Sequence, residues 1–417
     1  MTENLEFTLT LDRWAYGGES IGRLPDGRAL FVPFTMPGET VRVRLTEEKR
    51  GFARGELLEV LEASPQRIEP RCKHYRNCGG CHYQHLPYAF QLQAKTEILE
   101  DQLSRIGKMD PELVETICRP AVPSPQAWNY RNYVQFHLDS EGRLGFQAAD
   151  TDRLVPVEEC HLPEESILQI WQQLDLAPVP ELRRVGLRAG AEDEVMLILE
   201  SNSDEGLEFE LDIPLAAVML GPNSTHVLSD SPDLPMTVLG NEFRVSARSF
   251  FQVNTPMAEA MVSHLLEILP LRHDSVVLDV YCGVGLFSTF IAPKVGRLIG
   301  IEMAESAVDD FAYNLDAYEH IEVYQAAAED VLPELEVQPD VVLVDPPRAG
   351  LEKAALDAIL AMGTETLAYV SCDPATLSRD ARRLIAGGYQ LTQITPFDLF
   401  PQTYHIESIS LFTRQGN

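Results

Sequence analysis

The sequence predicts an α/β protein in three parts: a small N-terminal β-barrel, a central α/β segment that contains most of the cysteines, and a C-terminal Rossmann-like domain. Three observations support this prediction. Short apolar stretches alternate with turn residues at the start, cysteines cluster directly after them, and the C-terminal part alternates apolar strands with helical stretches. A chain of 417 residues, 45% of them hydrophobic, can form more than one buried core. We place the domains at residues 1–61, 62–254 and 255–417.

The N-terminal part alternates predicted strands with tight turns. The turns contain glycine and proline pairs that terminate extended segments. The predicted strands cover residues 6–11, 28–34, 40–45 and 53–61. Short strands at even spacing are typical of a closed barrel of the OB type, which either binds nucleic acid or serves only as a packing module.

A cysteine cluster opens the central segment. Cys72, Cys78 and Cys81 lie close together in the sequence, and Cys160 is a fourth candidate farther along. In a reducing compartment, cysteines at this density indicate a metal site rather than disulfides. Zinc and an iron–sulfur cluster both accept four thiolates, so the spacing alone leaves both open.

The C-terminal part begins with the pattern of a nucleotide-binding βαβ unit. The apolar strand at residues 275–280 leads into a Gly-x-Gly turn, and the next strand ends at Glu302. Glycines let the backbone approach a ligand, and the acid can accept hydrogen bonds from ribose hydroxyls. Ser288 occupies the position of the third glycine in the dinucleotide fingerprint. This departure disfavours a dinucleotide and suits S-adenosylmethionine, which has no pyrophosphate.

Two further apolar strands end in reactive side chains. Residues 340–344 lead into Asp345, and residues 366–370 lead into Ser-Cys372-Asp-Pro. Catalytic groups of α/β enzymes lie at this end of their strands. A thiolate is suited to attack an electron-poor carbon, so Cys372 is a candidate covalent nucleophile. The alternative is a buried cysteine with no chemical role.

Several strings along the chain occur together in one known family. In order, they are FFQVN at residues 250–254, DVYCGVG at 279–285, DPPR at 345–348, SCDPATLSRD at 371–380 and HIE at 405–407. The chain thus resembles the RNA 5-methyluridine (uracil-C5) methyltransferases. It is most similar to their iron–sulfur branch, of the 23S rRNA uracil-5 methyltransferase type, and its barrel is similar to the TRAM domain that helps these enzymes hold RNA.

The resemblance assigns roles to individual residues. It implies that Cys372 adds to carbon 6 of uracil and that Glu407 removes the proton from carbon 5. It implies a [4Fe–4S] cluster rather than zinc, and S-adenosylmethionine as the methyl donor. The implied cofactor-binding residues are Gln252, Tyr281, Glu302 and Asp345, and the implied cluster ligands are Cys72, Cys78, Cys81 and Cys160.

The net charge of −31 is unusual for a protein whose partner is RNA. Much of the excess acid lies in residues 192–194 and 200–212, which contain no lysine or arginine and which we expect to be solvated. A basic patch is predicted around the first cysteines from Arg67, Arg71, Lys73 and Arg76. Phe250 and Phe251 could stack on a base or pack in the core.

Three alternative functions stay open at this level. A tRNA T-loop uridine could replace 23S rRNA as the target of the same chemistry. An enzyme that methylates exocyclic amino groups also uses Asp-Pro-Pro, but it needs no covalent cysteine and usually has an aromatic residue where this chain has Arg348. A non-catalytic RNA-binding iron–sulfur protein is the third possibility.

Location and assembly are also predicted. No segment has the long apolar run of a membrane helix, and the first residues lack a basic start followed by an apolar stretch. We therefore expect a cytoplasmic monomer without a membrane partner.

Overall fold

The N-terminal barrel is closed, as the sequence predicts. The computed structural model describes residues 5–149, 151–176, 178–206, 215–229 and 231–414. The barrel strands are β1 (Glu6–Ala15), β2 (Glu19–Arg23), β3 (Ala29–Pro33), β4 (Thr40–Glu48) and β5 (Phe52–Glu62). They close in the order β1-β2-β3-β5-β4 around a core that includes Leu30, Val32 and Val41.

The sequence analysis missed strand β2. Its residues Glu19 and Ser20 are polar but buried, and only Ile21 is a typical strand residue. The Ser20 hydroxyl donates to the Thr35 carbonyl at 3.0 Å, and Glu19 pairs with Arg54. Because tertiary hydrogen bonds stabilise this strand, its local pattern does not reveal it.

Two helices follow the cysteine-rich segment: α1 (Tyr88–Arg105) and α2 (Pro111–Ile117). The buried face of the first helix includes Leu99, Leu103 and one charged residue, Lys95. Both helices pack on the C-terminal sheet rather than on the central one.

The central sheet has the order β12-β11-β10-β9-β6-β7-β8. Its strands are β6 (Tyr133–Leu138), β7 (Leu144–Gln147), β8 (Leu154–Pro156), β9 (Leu182–Ala189), β10 (Val195–Ser201), β11 (Ala216–Leu220) and β12 (Thr225–Ser229). Helix α3 (Glu165–Trp171) covers one face, where Phe136 and Leu187 are fully buried. A hairpin of β13 (Asp233–Val238) and β14 (Asn241–Ser246) follows.

The C-terminal sheet is Rossmann-like, as predicted, with the order β17-β16-β15-β18-β19-β21-β20. Its strands are β15 (Val276–Val280), β16 (Arg297–Glu302), β17 (Ile321–Gln325), β18 (Val341–Val344), β19 (Thr366–Ser371), β20 (Gln390–Phe397) and β21 (Glu407–Thr413). Strands β15 to β19 run parallel, whereas β21 is antiparallel to both of its neighbours. The apolar strands are buried on both faces, which is typical of a parallel sheet.

Helices cover both faces of this sheet. They are α4 (Thr255–Ile268), α5 (Leu286–Ile291), α6 (Glu305–Asn314), α7 (Ala328–Val331), α8 (Lys353–Met362) and α9 (Pro374–Ala386). One core joins the hairpin and α4 to the sheet, and the other joins α1, α2, α8 and α9 to its opposite face. The domain boundary between residues 254 and 255 stays a prediction. Helices α1 and α2 precede this boundary in sequence but pack on the C-terminal sheet. None of the described helices has the length and apolar composition that a membrane-spanning helix requires.

Candidate active site

The candidate residues meet at one edge of the C-terminal sheet. Tyr281 follows β15, Glu302 ends β16, Asp345 follows β18 and Cys372 follows β19. Because these strands are parallel, their carboxyl ends lie side by side, as in other α/β enzymes. These sequence-predicted groups therefore lie at the same edge of the sheet.

The turn after β15 has the backbone shape that a bound cofactor needs. Gly283 and Gly285 have positive φ values of +54° and +88°, and Tyr281 has +66°. A Cβ at Gly285 would lie 2.5 Å from Leu315, so glycine is required there for packing. A Cβ at Gly283 would meet nothing within 4 Å, so this side of the turn is open to a ligand.

Backbone amides hold the Glu302 carboxylate in a fixed orientation. One oxygen accepts hydrogen bonds from the N–H groups of Met303 and Ala304, both at 2.8 Å. The other accepts from the Gly283 N–H at 3.1 Å. This carboxylate is therefore positioned beside the glycine turn, where the ribose of a cofactor is expected.

Ser288, noted in the sequence only as a departure from the dinucleotide fingerprint, has a structural role. Its hydroxyl donates to one oxygen of the buried Asp279 at 2.6 Å, while the other Asp279 oxygen has no partner. Burial raises the pKa of Asp279 to about 7. Burial, and then the carboxylates of Asp279 and Glu302, likewise raise the pKa of Asp345 to about 7.

This group of carboxylates suits a positively charged ligand. A bound cation would relieve the mutual repulsion of these carboxylates and lower the pKa values of Asp279 and Asp345. S-adenosylmethionine has a sulfonium and an ammonium group, so the residues present fit it.

Cys372 and Glu407 lie at the open end of one pair of strands. Ser371 in β19 pairs with Ser408 in β21, so Cys372 and Glu407 are the next residues along this ladder. Burial, and then the carboxylates of Glu407 and Asp345, raise the pKa of the Cys372 thiol to about 12. The thiol is therefore protonated at neutral pH and needs a base before it can act as a nucleophile.

The loop that bears Cys372 is fixed by its neighbour. Asp373 is the N-cap of α9, and its Oδ1 accepts hydrogen bonds from the N–H groups of Ala375 and Thr376, both at 2.9 Å. A carboxylate at this position satisfies free amides of the first helical turn. The cap thus fixes the backbone beside Cys372 at the start of the helix.

Glu407 is fully enclosed and has a buried cation nearby. Burial, and then Asp345, raise the pKa of Glu407 well above its usual range, and Arg348 and Lys95 oppose this rise. Lys95 is 1% exposed and donates to Asp398 and to the Phe400 carbonyl. Burial lowers the pKa of Lys95, and Asp398 opposes that shift.

The sequence analysis did not identify Lys95, although a signal was present. It lies four residues before Leu99 on the apolar face of α1, where a charged residue is unusual. A buried lysine requires an anionic partner, and that partner comes from the far end of the chain.

Gln252 lies on a separate segment, directly before α4. Its carbonyl accepts a hydrogen bond from Asn132 Nδ2 at 2.9 Å. The nearby Asn254 caps α4 by accepting a hydrogen bond from the Met257 N–H. The cofactor-binding role of Gln252 stays a prediction.

The four predicted cluster ligands line one cavity of about 290 Å³. Burial raises the pKa of the Cys81 thiol most, and the neighbouring thiols of Cys160, Cys78 and Cys72 raise it further. Gly79 approaches the backbone of residues 147–149 so closely that a Cβ would lie 2.9 Å from it. The chain therefore wraps tightly around this cavity, as expected for glycines beside bulky ligands.

In the described part of the chain, the possible metal ligands are not spaced to bind a single metal ion. No three histidine, cysteine, aspartate or glutamate side chains there are arranged to hold one metal ion. The His85 ring is hydrogen-bonded to Tyr75 in the core, and His161 lies 3.8 Å from Glu159. These contacts agree with histidines that support the site without being ligands.

A second cavity, of about 690 Å³, lies between the central sheet and the segment before α4. Among its described lining residues, Glu200 is the one acid, and four are arginines: Arg131, Arg183, Arg188 and Arg248. Neither Arg183 nor Arg248 forms an ion pair within the described ranges. We call this cavity the arginine groove; Arg131 lines the cysteine cavity as well.

The two neighbouring phenylalanines have different environments. Phe250 is 69% exposed at the arginine groove, whereas Phe251 is 6% exposed and packs on Phe243 in the core. Core packing is therefore confirmed for Phe251, whereas base stacking by Phe250 stays a prediction. An exposed aromatic ring beside arginines is suited to stack on a base.

The basic patch predicted near the first cysteines is partly neutralised. Arg67 bonds to Glu39 at 2.6 Å, and Lys73 bonds to Glu158 at 2.7 Å. The acidic residues 192–194 are exposed, as expected, and residues 207–212 of the second acidic stretch lie outside the described residues. Arg71 and Arg76 of this patch form no ion pair within the described residues, and neither do Arg183 and Arg248 of the arginine groove.

Comparisons with known proteins agree with this architecture. A family model described as tRNA (uracil-5-)-methyltransferase matches residues 233–415, and a TRAM domain model matches residues 3–58. The crystal structure of a Pyrococcus abyssi tRNA (uracil-54, C5)-methyltransferase in complex with S-adenosyl-L-homocysteine has the same fold. Its TM-score is 0.71 at 22% identity, and the match covers 98% of this chain and 100% of that one.

Full-length relatives are named as RNA methyltransferases. An uncharacterised RNA methyltransferase of Thermosynechococcus vestitus is 34% identical over 441 residues, which cover 97% of each chain. Another, from Halalkalibacterium halodurans, is 32% identical over 444 residues, which cover 97% of this chain and 96% of the relative. The chain therefore belongs to the RNA uracil-5 methyltransferase family and is an RNA methyltransferase with an N-terminal TRAM domain.

Proposed function

We propose that this enzyme methylates carbon 5 of a specific uridine in RNA through a covalent adduct between Cys372 and the base. The observation that supports this most strongly is the position of Cys372 and Glu407, directly beyond the paired residues Ser371 and Ser408. A nucleophile and a base side by side can act on adjacent carbons of one ring.

The two side chains divide the chemistry between them. Cys372 Sγ forms a bond to carbon 6, and the electrons of the 5,6 double bond move to give an enolate-like ring with a nucleophilic carbon 5. The thiol proton passes to Asp345, whose raised pKa favours its acceptance, so Glu407 stays available for the second proton. After methylation, Glu407 removes the proton from carbon 5, the double bond forms again, and the bond between sulfur and carbon 6 breaks.

S-adenosylmethionine supplies the methyl group as an electrophile. We propose that Glu302 accepts hydrogen bonds from its ribose and that Asp345 orients it, with Tyr281 and Gln252 lining the pocket. The fixed Glu302 carboxylate and the open side of the turn at Gly283 support this assignment.

The other enzyme classes have less support. Methylation of an exocyclic amine needs no thiol, and it gives no reason for a protonated cysteine beside a buried glutamate. Family membership disfavours a non-catalytic RNA-binding protein.

For the target we propose 23S rRNA, with a tRNA T-loop uridine as the alternative. The arginine groove supports RNA binding despite the net charge of −31, because four arginines and a single acid are among its described lining residues. Exposed Phe250 provides a stacking surface at the same place. The Pyrococcus abyssi enzyme acts on tRNA by its name, which is why both RNAs belong in the test.

We also propose that Cys72, Cys78, Cys81 and Cys160 bind a [4Fe–4S] cluster. Each thiolate of such a cluster binds a different iron, so its ligands surround a larger volume than those of one zinc ion. A cavity of about 290 Å³ lined by all four cysteines supports a ligand of this size. Free thiols with these roles are typical of the reducing cytoplasm, where we propose that the enzyme works as a monomer.

Iron analysis tests the cluster. Anaerobically purified protein is expected to be brown and to contain about four irons per chain. Cys160→Ala should lose most of the iron, whereas Cys118→Ala should keep it, since Cys118 is buried away from the cavity. Zinc in place of iron, with no visible absorption, would refute the cluster.

A mechanism-based trap tests the proposed reaction. RNA with 5-fluorouridine at the target should form an adduct with Cys372 that survives denaturing electrophoresis, because fluorine cannot leave carbon 5 as a cation. Domain-sized 23S rRNA fragments and T-loop tRNA should be tested in parallel, and we expect the adduct with rRNA. Methylation without any adduct on either RNA would eliminate the covalent mechanism.

A further inference from the structure

We propose that Tyr16, in the N-terminal barrel, is a positioning residue. It holds the loop that bears Cys372 and the loop that leads to Glu407 in a fixed position relative to each other. This inference rests on the proposed function, because it takes those two residues as nucleophile and base. It makes the barrel a part of the active site rather than only a module for RNA binding.

The first contact is with the nucleophile loop. The Tyr16 hydroxyl, directly after β1, donates to Oδ2 of Asp373 at 2.9 Å. Asp373 follows Cys372, and its other oxygen caps α9. One carboxylate thus joins the helix that supports the nucleophile to a tyrosine more than 350 residues away in sequence.

The second contact is with the loop that leads to Glu407. The Tyr16 ring packs edge-on against Tyr404, with ring centroids 5.6 Å apart, and Tyr404 lies 4.4 Å from the His405 ring. His405 precedes the proposed base by two residues. Burial, and then Arg348, lower the pKa of His405 to about 3, so its neutral ring can accept the hydrogen bond from Arg348 at 3.2 Å.

The turn that bears Tyr16 cannot shift easily. Gly17 and Gly18 follow it with φ values of +105° and +82°, and a Cβ at Gly18 would lie 2.9 Å from Cβ of His82. The His82 N–H donates to the Gln402 carbonyl at 2.8 Å, and the His82 ring lies 4.6 Å from Tyr404. The barrel, the segment after Cys81 and the loop that leads to Glu407 therefore pack against one another at this point.

The hydrogen bond from Tyr16 is of the strong kind. Burial, and then Asp373, raise the pKa of the Tyr16 phenol above its usual range, so it stays protonated and donates at all relevant pH values. A neutral donor to a carboxylate forms a shorter and stronger bond than a neutral pair. Geometry at the reacting atoms is sensitive to displacements of about 1 Å, so loss of this bond should affect rate more than binding.

Tyr16→Phe tests the inference, because it removes the hydroxyl and keeps the ring. The single-turnover rates of methylation and of adduct formation with 5-fluorouridine RNA should fall about tenfold, the value of one hydrogen bond to a charged group. The Kd values for RNA and S-adenosylmethionine should stay within about twofold. Tyr324→Phe is the matched control, since its hydroxyl lies 3.5 Å from Glu322 on the edge strand β17, and it should leave every rate unchanged.

A double-mutant cycle identifies the partner. Asp373→Asn keeps an oxygen for the helix cap but removes the charge that Tyr16 contacts, so adding Tyr16→Phe should change its rate by less than about twofold. Additive effects of the two substitutions, or a weaker Kd for RNA with unchanged single-turnover rates, would overturn the inference. If wild-type protein methylates without an adduct, the proposed mechanism fails and the inference with it; a wild-type adduct that forms equally fast in Tyr16→Phe overturns the inference alone.

Discussion

Replacement of Cys372 by serine is expected to abolish methyl transfer while S-adenosylmethionine still binds within a few fold of wild type. A serine hydroxyl is a far weaker nucleophile than a thiolate at neutral pH, so carbon 5 is no longer activated. Loss of a covalent nucleophile reduces kcat by at least about 10³-fold, equivalent to about 4 kcal/mol in the barrier. The measurement is single-turnover transfer of a labelled methyl group to RNA, with cofactor binding by calorimetry.

Cys118→Ser is the matched control for this variant. Cys118 is also a free thiol of the same chain, but it is buried beside the edge strand β20 and far in sequence from the strand ends of the site. Full activity in this control, together with inactivity of Cys372→Ser, would identify one thiol among seven. Wild-type turnover by Cys372→Ser would remove the covalent step from the mechanism.

The sequence predicts the C-terminal sheet well because its strands are locally distinct. Each is a short apolar run that ends in glycine, proline or acid, so both the strand and the position of its functional residue are visible in the chain. Cys372 and Asp345 were found in this way, and the parallel order of the strands then explains their proximity. The barrel was predicted from its turns by the same logic, apart from the polar strand β2.

Features that depend on long-range contacts could not be predicted. Tyr16 and Asp373 belong to opposite ends of the chain, and no local pattern connects them. The arginine groove collects residues such as Arg183 and Arg248 from separate elements, whereas the apparent patch at Arg67 is neutralised by a glutamate from the barrel. Charge clusters along a sequence therefore do not show where unpaired charge lies on the surface.

Glu407→Gln is expected to stop the reaction after methyl transfer, with the methylated RNA still attached to the protein. If Glu407 acts only as the base for the carbon 5 proton, Cys372 can still add to the ring, but a neutral amide cannot accept that proton. Net turnover should fall by about 10²- to 10⁴-fold, the usual contribution of a general base. The adduct should survive denaturing electrophoresis and contain label from the methyl group of the cofactor.

The fate of the label separates the possible roles of Glu407. The glutamine variant keeps the size of the buried side chain, and the nearby Lys95 retains Asp398 as its partner, so we expect the fold to persist. Glu319→Gln, at an exposed position of the same domain, should turn over normally. Loss of turnover without any adduct would mean that Glu407 is needed earlier, as the acceptor of the Cys372 proton, because the thiol would then not add to the ring. Normal turnover without an adduct would exclude Glu407 as the base. Asp345 would then be the next candidate, because it is another carboxylate at this edge of the sheet that raises the pKa of Cys372.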